Sequence, residues 1–399
     1  MGTPLCALPE AQIAAWDAIV VGAGAAGMMA AIEAGKRGRR VLVLDHSQRI
    51  GRKILISGGG RCNFTNIGAR AENYLSANPH FAKSVLARYT PRDFIALVEK
   101  HRIAYHEKTL GQLFCDGSAQ QIVTLLEREA ADAGVTIQAD TAVREVQHSD
   151  SFTLRTNRGE FHASALVIAT GGLSIPKIGA TGFGYDIARQ FGLRVRDLRP
   201  GLVPLVFNPD DTKRWCDLTG LSTEVIAYAG KRSFREKLLI THRGISGPAV
   251  LQISSYWQPG GVLRFDIAPG KKVFNALQAS PSGRDVTALR QALYAALPQR
   301  LADRWITTHP QQKWSNAALE ASEQALHQWE IVPAGTEGYE KAEVTAGGID
   351  TDDLDAKTMQ ARNVRGLFFV GEVVDVTGWL GGYNFQWAWA SGAAAGHAL

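Results

Sequence analysis

An α/β architecture is predicted, with a βαβ unit near the N-terminus that the C-terminal segment completes around an inserted β-rich domain and a small helical lobe. Three observations predict it. Two short apolar runs, Ala18-Ile19-Val20-Val21 and Val41-Leu42-Val43-Leu44, flank a glycine-rich turn and a helical stretch from Met28 to Gly35, as buried parallel strands flank their crossover helix. From about Arg194 to Pro269, mixed short runs are punctuated by Pro200, Pro204 and Pro209, the pattern of a β-rich unit. Leu367-Phe368-Phe369-Val370 then resumes the buried-strand pattern ahead of a terminal helix of small residues, which returns the chain to its first domain.

Between these landmarks the elements follow in order. Thr90-Pro91 starts a helix, with Thr90 able to cap and Pro91 needing no donor, and Phe94, Leu97 and Val98 form its apolar face. Ser118 to Ala133 reads as another helix, Val135 to Glu160 as antiparallel strands with a hairpin turn at Asn157-Arg158-Gly159, and Ala165 to Ala169 as a buried strand. Leu289, Leu293, Leu297, Leu301, Trp305, Leu319, Leu326 and Trp329 recur at spacings near three and four and predict the helical lobe. The expected domains are 17–195 with 340–399, 196–272 with 331–339, and the lobe at 273–330.

Size and composition bound the reading. A chain of 399 residues exceeds one small core, and 45% apolar with 20% charged residues is ordinary for a soluble globular protein. The segment Met1 to Trp16, with Pro4, Pro9 and Glu10, reads as a short arm rather than a secretory signal. The most apolar stretch, Ala18 to Ile32, is interrupted by glycines and too short to span a membrane, so a cytoplasmic protein is expected. Cys6, Cys62, Cys115 and Cys216 stand too far apart for a zinc site or a disulfide framework. A net charge of +5 permits nucleic-acid contact without requiring it.

The turn Gly22-Ala23-Gly24-Ala25-Ala26-Gly27 carries the first chemistry. Gly22 makes the tight turn, Gly24 lets a pyrophosphate approach the backbone, and Gly27 lets helix and strand pack, so that the helix N-terminus faces the phosphates. Asp45, at the end of the second strand, can accept both hydrogen bonds of an adenosine ribose and would repel a 2′-phosphate. Strand, motif, helix, strand and acid in this order define a Rossmann-type dinucleotide site, which leaves FAD and NAD as alternatives.

Three distant segments bear on that choice. Gly51-Arg52-Lys53-Ile54-Leu55-Ile56-Ser57-Gly58-Gly59-Gly60-Arg61-Cys62-Asn63-Phe64-Thr65-Asn66, Thr241-His242-Arg243-Gly244-Ile245-Ser246-Gly247-Pro248-Ala249, and Gly371-Glu372-Val373-Val374-Asp375 through Gly381-Gly382-Tyr383-Asn384-Phe385-Gln386 together resemble the signatures of the BaiN/RdsA-like (YhiN-type) family of bacterial FAD-dependent oxidoreductases. The resemblance extends over essentially the whole chain. It implies a Rossmann-type, glutathione reductase-like FAD-binding domain with an inserted β-barrel-like domain and a small helical lobe, and it implies Gly22, Gly24, Ala25, Ala26, Gly27, Asp45, Arg52, Lys53, Gly59, Gly60, Arg61, Val143, Thr170, Gly171, Gly172, Gly371, Glu372, Gly381, Gly382, Tyr383 and Asn384 at the cofactor. Asp45 stands where Glu is commoner in the family, and Thr377-Gly378-Trp379-Leu380 departs from its usual acidic, threonine-containing stretch.

The helix expected from Tyr383 can turn its positive end to the flavin N1–C2 carbonyl edge, and Glu372 can bond a ribityl hydroxyl. Tight helix packing is the other use of Gly381-Gly382. Gly58-Gly59-Gly60-Arg61-Cys62 is similar to the run holding the first redox cysteine of flavin disulfide reductases, but no second cysteine follows, which excludes dithiol exchange in its usual form. Cys62 is therefore either a proton donor or a small buried thiol. His242 and Arg243 precede Ser246-Gly247-Pro248, a cap and helix start, and either meet substrate or form a structural turn with His242 bonding backbone. Arg61 similarly either contacts substrate or fixes its loop, and Trp379 joins the substrate candidates.

No second glycine fingerprint occurs in the insert, so NAD(P)H is expected as a transient reductant. Basic clusters at Lys36–Arg40, Arg194–Arg199 and Lys231–Lys237, with Trp305, Trp314 and Trp329, offer an RNA-binding face, although such tryptophans more often belong to a core. The resemblance implies reduction of a carbon–carbon double bond conjugated to a carbonyl, either uracil to dihydrouridine in 23S ribosomal RNA or a small bile-acid-like enone. Hydride from flavin N5 and a proton from an acid serve both. A non-catalytic flavin sensor or assembly factor is the third class.

Overall fold

The computed structural model describes residues 16–280 and 282–399. Of the N-terminal arm read from Met1 to Trp16, all but Trp16 lies outside the described residues, as does Cys6. The described residues form two compact units, one of 16–173, 177–198 and 347–399, the other of 174–176, 199–280 and 282–346.

In the first unit β1 (Trp16–Val21), α1 (Ala25–Lys36) and β2 (Val41–Leu44) form the βαβ unit. Every residue of β2 is buried, which is why the strand reads as an unbroken apolar run. The chain continues through α2 (Arg52–Ile56), β3 (Asn63–Asn66), β4 (Tyr74–Leu75), α3 (Phe81–Arg88) and α4 (Pro91–Lys100). At the start of α4, Asp93 accepts from both the backbone N–H and the hydroxyl of Thr90, so the acid at the third position does the capping. Next come β5 (Tyr105–Glu107), β6 (Gln112–Cys115), α5 (Gln120–Asp132), β7 (Thr136–Gln138), β8 (Val143–His148), β9 (Phe152–Thr156), β10 (Gly159–Ile168) and α6 (Phe183–Gln190). Strands β3, β6 and β5 make a small antiparallel sheet.

Two expectations for 135–169 change. The first strand of that stretch, β7, is parallel to β2 and extends the main sheet rather than joining an antiparallel meander. The buried strand at 165–169 is the second half of a ten-residue β10. One edge of β10 pairs with β1 over Ala163–Ile168, while its other edge pairs first with β9, antiparallel, and then with β20 (Leu367–Phe369), parallel.

The chain leaves this unit in β11 (Val195–Gly201) and returns in β19 (Val344–Ile349). Between them lie β12 (Leu205–Val206), α7 (Pro209–Trp215), β13 (Ser222–Ala229), β14 (Arg232–Ile240), β15 (Gly244–Ser246), α8 (Pro248–Ser254), β16 (Leu263–Asp266), α9 (Asn275–Ala279), α10 (Val286–Ala296), α11 (Gln299–Thr308), α12 (Asn316–His327), β17 (Trp329–Ile331) and β18 (Gly335–Thr336). Seven of these strands form one antiparallel sheet in the order β17-β16-β13-β14-β15-β12-β18. Trp305 and Trp329 are buried and pack on Trp215, at ring centroid distances of 6.3 and 4.9 Å, so they are core and not a nucleic-acid face.

Back in the first unit, β20, β21 (Thr377–Gly378) and α13 (Tyr383–Ala398) complete the domain. Helix α13 is buried nearly all round, and Gly392 and Gly396 let it approach α1. A Cβ on either would lie 2.4 Å from the Ala26 carbonyl oxygen or 2.6 Å from that of Ala30.

Candidate functional site

The four parallel strands β2, β1, β10 and β20 end at Leu44, Val21, Ile168 and Phe369. The candidate cofactor residues Asp45, Gly22, Thr170 and Gly371 follow within two residues of those ends. They therefore share the carboxyl edge of the sheet, where open α/β sheets bind ligands. Gly22 has φ 110°, and a Cβ there would lie 2.4 Å from the Ala169 carbonyl oxygen. A Cβ on Gly27 would lie 1.9 Å from the Gly22 carbonyl oxygen, so both glycines are demanded by the chain's own packing. Gly24 differs. Its φ of −83° suits any residue, and a Cβ there would meet no heavy atom within 4 Å.

Gly24 is also the N-cap of α1, which has no side-chain cap and no acid in its first turn, leaving N–H groups for an anion. The Asp45 carboxylate accepts from Ala23 N–H and Ser47 N–H, each at 2.7 Å, one on each oxygen. Each oxygen keeps a lone pair for a hydroxyl. Ala25 and Ala26 begin α1, and a Cβ on Gly371 would lie 2.8 Å from that of Ala26, which ties the β20 loop to the motif. Thr170 Oγ1 is buried without a hydrogen-bond partner, and a Cβ on the adjoining Gly171 would meet nothing within 4 Å. Gly172 is buried, and Val143 opens β8 opposite Thr156.

Lys53 Nζ and a Glu372 carboxylate oxygen form an ion pair at 2.5 Å, joining α2 to the loop after β20. The sequence marks both residues without marking their union. Arg52, half-buried at the start of α2, brings its guanidinium to Gly179. Gly58, Gly59 and Gly60 have φ of 57°, 66° and 84°, a left-handed run that glycine alone sustains. Cβ atoms on Gly59 and Gly60 would again meet nothing within 4 Å. Arg61 is exposed. Cys62 is 0% exposed, burial pushes its thiol well above the usual range, and Ser57 bonds it.

Gly381 and Gly382, at φ 108° and 91°, are walled by protein, a Cβ on Gly382 lying 2.4 Å from the Thr65 carbonyl oxygen. Gly382 caps α13, which has no acid in its first turn. Asn384 spends its amide on the chain, accepting from Gly378 N–H at 2.8 Å and donating to the Gly378 carbonyl at 3.0 Å. Tyr383 lies edge-on to Trp379, ring centroids 6.1 Å apart, and its carbonyl accepts from the Tyr74 hydroxyl at 2.9 Å. Residues missed from sequence, Asn66 and Gln386, anchor this loop. Asn66 donates to the Gly381 carbonyl, and Gln386 accepts from the Thr65 hydroxyl at 2.7 Å. Both polar residues are almost wholly buried, and their place inside the quoted motifs was the available signal.

In the second unit, His242 and Arg243 are exposed on a turn held by Thr241 Oγ1, which accepts from Arg243 and Gly244 N–H. The expected helix does start at Pro248, but its cap is corrected. Ser246 lies in β15 opposite Leu239, and Gly247 at φ 88° precedes the seven-residue α8. The basic clusters are largely engaged. Arg194 and Arg196 pair with Asp350 and Asp353, Arg199 donates to the Trp257 and Ser255 carbonyls, and Arg235 pairs with Glu224.

Open glycines at Gly24, Gly59, Gly60 and Gly171, an uncapped helix start and an unpartnered Thr170 hydroxyl fit a dinucleotide, and the fold and cradle define a Rossmann-type nucleotide-binding protein. Residues 16–398 match the family described as HI0933-like protein Rossmann domain. The chain is 50% identical to the ribosomal RNA dihydrouridine synthase of Escherichia coli (strain K12), over 96% of this chain and 98% of that one. Identity to the protein of the same name in Haemophilus influenzae (strain ATCC 51907 / DSM 11121 / KW20 / Rd) is 47%, over 94% and 96%. The 3-dehydro-bile acid delta(4,6)-reductase of Clostridium scindens (strain ATCC 35704 / DSM 5676 / VPI 13733 / 19) is 30% identical, over 95% and 98%. The chain belongs to the HI0933-like family and is an FAD-dependent oxidoreductase. No described helix is long and apolar enough to cross a membrane.

Proposed function

We propose that the protein reduces uracil to dihydrouridine in 23S ribosomal RNA, with NAD(P)H as transient reductant and the cytoplasm as its compartment. The observation that carries this reading is the 50% identity, over nearly the whole of both chains, to a ribosomal RNA dihydrouridine synthase. FAD, when bound, supplies hydride to the electron-poor carbon of a double bond conjugated to a carbonyl. The N–H groups at the start of α1 and the open side of Gly24 hold the pyrophosphate, and Asp45 the adenosine ribose. Thr170 Oγ1 and the Lys53–Glu372 pair take polar atoms of the rest of the cofactor, and the N-terminus of α13 stabilises negative charge at the flavin. Arg52, Gly59, Gly60, Gly171 and Gly172 shape the cradle.

Of the two acid candidates we retain His242, exposed on its turn, with Arg61, Arg243 and Trp379 as substrate contacts. Cys62 we assign to packing, since its enclosed thiol touches no solvent. Mass spectrometry of 23S RNA from a deletion strain tests the function. Dihydrouridine is expected to vanish and to return with the plasmid-borne gene, and an unchanged level overturns the reading. Reduction of a steroid-like enone by the purified protein would then favour the second reading, which the 30% identity to a bile-acid reductase supports.

A further inference from the structure

The hairpin of β5 and β6 ends in Lys108-Thr109-Leu110-Gly111. Leu110 is 68% exposed, and Ile67 next to Gly111 is 52% exposed. Single exposed apolar side chains are commonplace on soluble proteins. Three further features separate this one.

Leu110 has φ 52°, the left-handed region that a leucine enters only at a cost. A surface position free of other demands would relieve that cost with glycine or asparagine. The tip is also held fast. Gly111 N–H donates to Glu107 Oε1 at 3.0 Å and Ile67 N–H to the Gly111 carbonyl at 2.9 Å. Buried Asn66 donates through one nitrogen to the carbonyls of Leu110 and Gly381, both at 3.0 Å. A Cβ on Gly381 would lie 2.7 Å from the Gln112 side chain, so the hairpin and the loop opening α13 pack as one body.

The third feature is charge. Exposed Lys108 holds its ammonium 5.3 Å from the Phe114 ring centroid. Exposed Arg61 leaves a loop bonded to the same strand, its carbonyl accepting from Cys115 N–H at 3.0 Å. An apolar point fixed beside the loop assigned above to the flavin, with exposed cations farther along the same hairpin, matches a chemistry in which one base leaves a stack while its neighbours' phosphates are held.

We propose that Leu110 is the wedge that replaces the target uracil in the stack of folded RNA, with Lys108 and Arg61 on the adjoining phosphates; this rests on the RNA-reductase reading. A stacked uracil cannot lay its ring against a flavin, so it must leave the stack, and an apolar side chain filling the gap offsets the lost stacking. A small enone would need no such group.

The test compares kcat/KM for a folded 23S RNA fragment with kcat/KM for a single-stranded oligonucleotide of the same target sequence, using FAD-loaded protein. In Leu110→Gly the ratio of folded to single-stranded activity is expected to fall about tenfold, since only the folded substrate requires opening. Leu110→Met, which keeps the apolar bulk, is expected to retain the wild-type ratio. Glycine relieves the left-handed backbone, so a thermal midpoint at or above that of the wild type separates this loss from misfolding. A ratio unchanged in Leu110→Gly overturns the wedge while leaving the function standing. Wild-type protein inactive on both RNAs overturns the function itself.

Discussion

At its N-terminal end α1 carries neither an acid nor a side-chain cap, and Gly24 faces open space. At its C-terminal end Lys36 pairs with Glu33 and with Glu129 at 3.0 and 3.2 Å, and Glu129 also takes Lys100 and His101 at 2.5 and 2.8 Å. Both ends expose backbone groups that a helix cannot satisfy internally. One end is closed by the chain itself, the N–H groups of Arg37, Gly38 and Arg39 donating to the Ala34 and Gly35 carbonyls beside the ion cluster, and the other is left for an anion. The contrast teaches that an unfinished helix end inside a well-packed domain marks function, while a finished one marks stability.

The largest effect should come from testing whether the open end is open on all sides. Gly27→Ala would drive a Cβ to 1.9 Å from the Gly22 carbonyl oxygen, and a loss of about 4 kcal/mol or more is expected in chemical denaturation of the cofactor-free protein. A stable Gly27→Ala protein would show that the turn can shift.

Next is Glu129→Gln at the closed end, expected to cost about 3 kcal/mol while leaving FAD affinity unchanged. Burial opposes the charge of Glu129, but Lys100, His101 and Lys36 outweigh it and hold the carboxyl at about 2, against 4.5 ordinarily. A depressed folded-state pKa contributes stability above pH 4.5 that is lost as the pH falls towards 2, about 3 kcal/mol in all. Denaturation midpoints between pH 5 and 2.5 should fall more steeply for the wild type than for the variant, and parallel curves would dismiss the cluster.

Gly24→Ala inverts the pattern. Stability should stay within about 0.5 kcal/mol, while FAD affinity, read by fluorescence titration, falls about tenfold or more. Smallest is Thr170→Val, which removes a buried hydroxyl without a partner. It should leave the cofactor-free protein equal or up to about 1 kcal/mol more stable, and weaken FAD a few-fold. A loss of stability without change in affinity would place Thr170 in the scaffold.

Much of this site was legible because its signals are local. The run Val41–Leu44 is apolar since both faces of β2 are covered, and Asp45 follows it directly. Trp305 sits at helical spacing with leucines and is core, whereas Trp329, read into the same run, is core from strand β17. What stayed hidden depends on residues distant in sequence. Nothing near Lys53 announces Glu372, and nothing near Leu110 announces Gly381, because a buried Asn66 makes that connection. Ser246 looked like a cap because its neighbours Gly247 and Pro248 suit a helix start, yet pairing with Leu239 claims it for a strand.

The forked edge of β10 bears on how the chain finds its fold. Its first half pairs with β9 across a tight turn at Gly159, a contact between near neighbours. Its second half pairs with β1 and β20, which arrive from opposite ends of the chain. Local hairpins close in microseconds, whereas distant parallel pairs wait on slow loop closure. We expect the β9–β10 hairpin to form first and to hold out a ready edge, so that β20 has a template long before the segment carrying it has been joined to the rest.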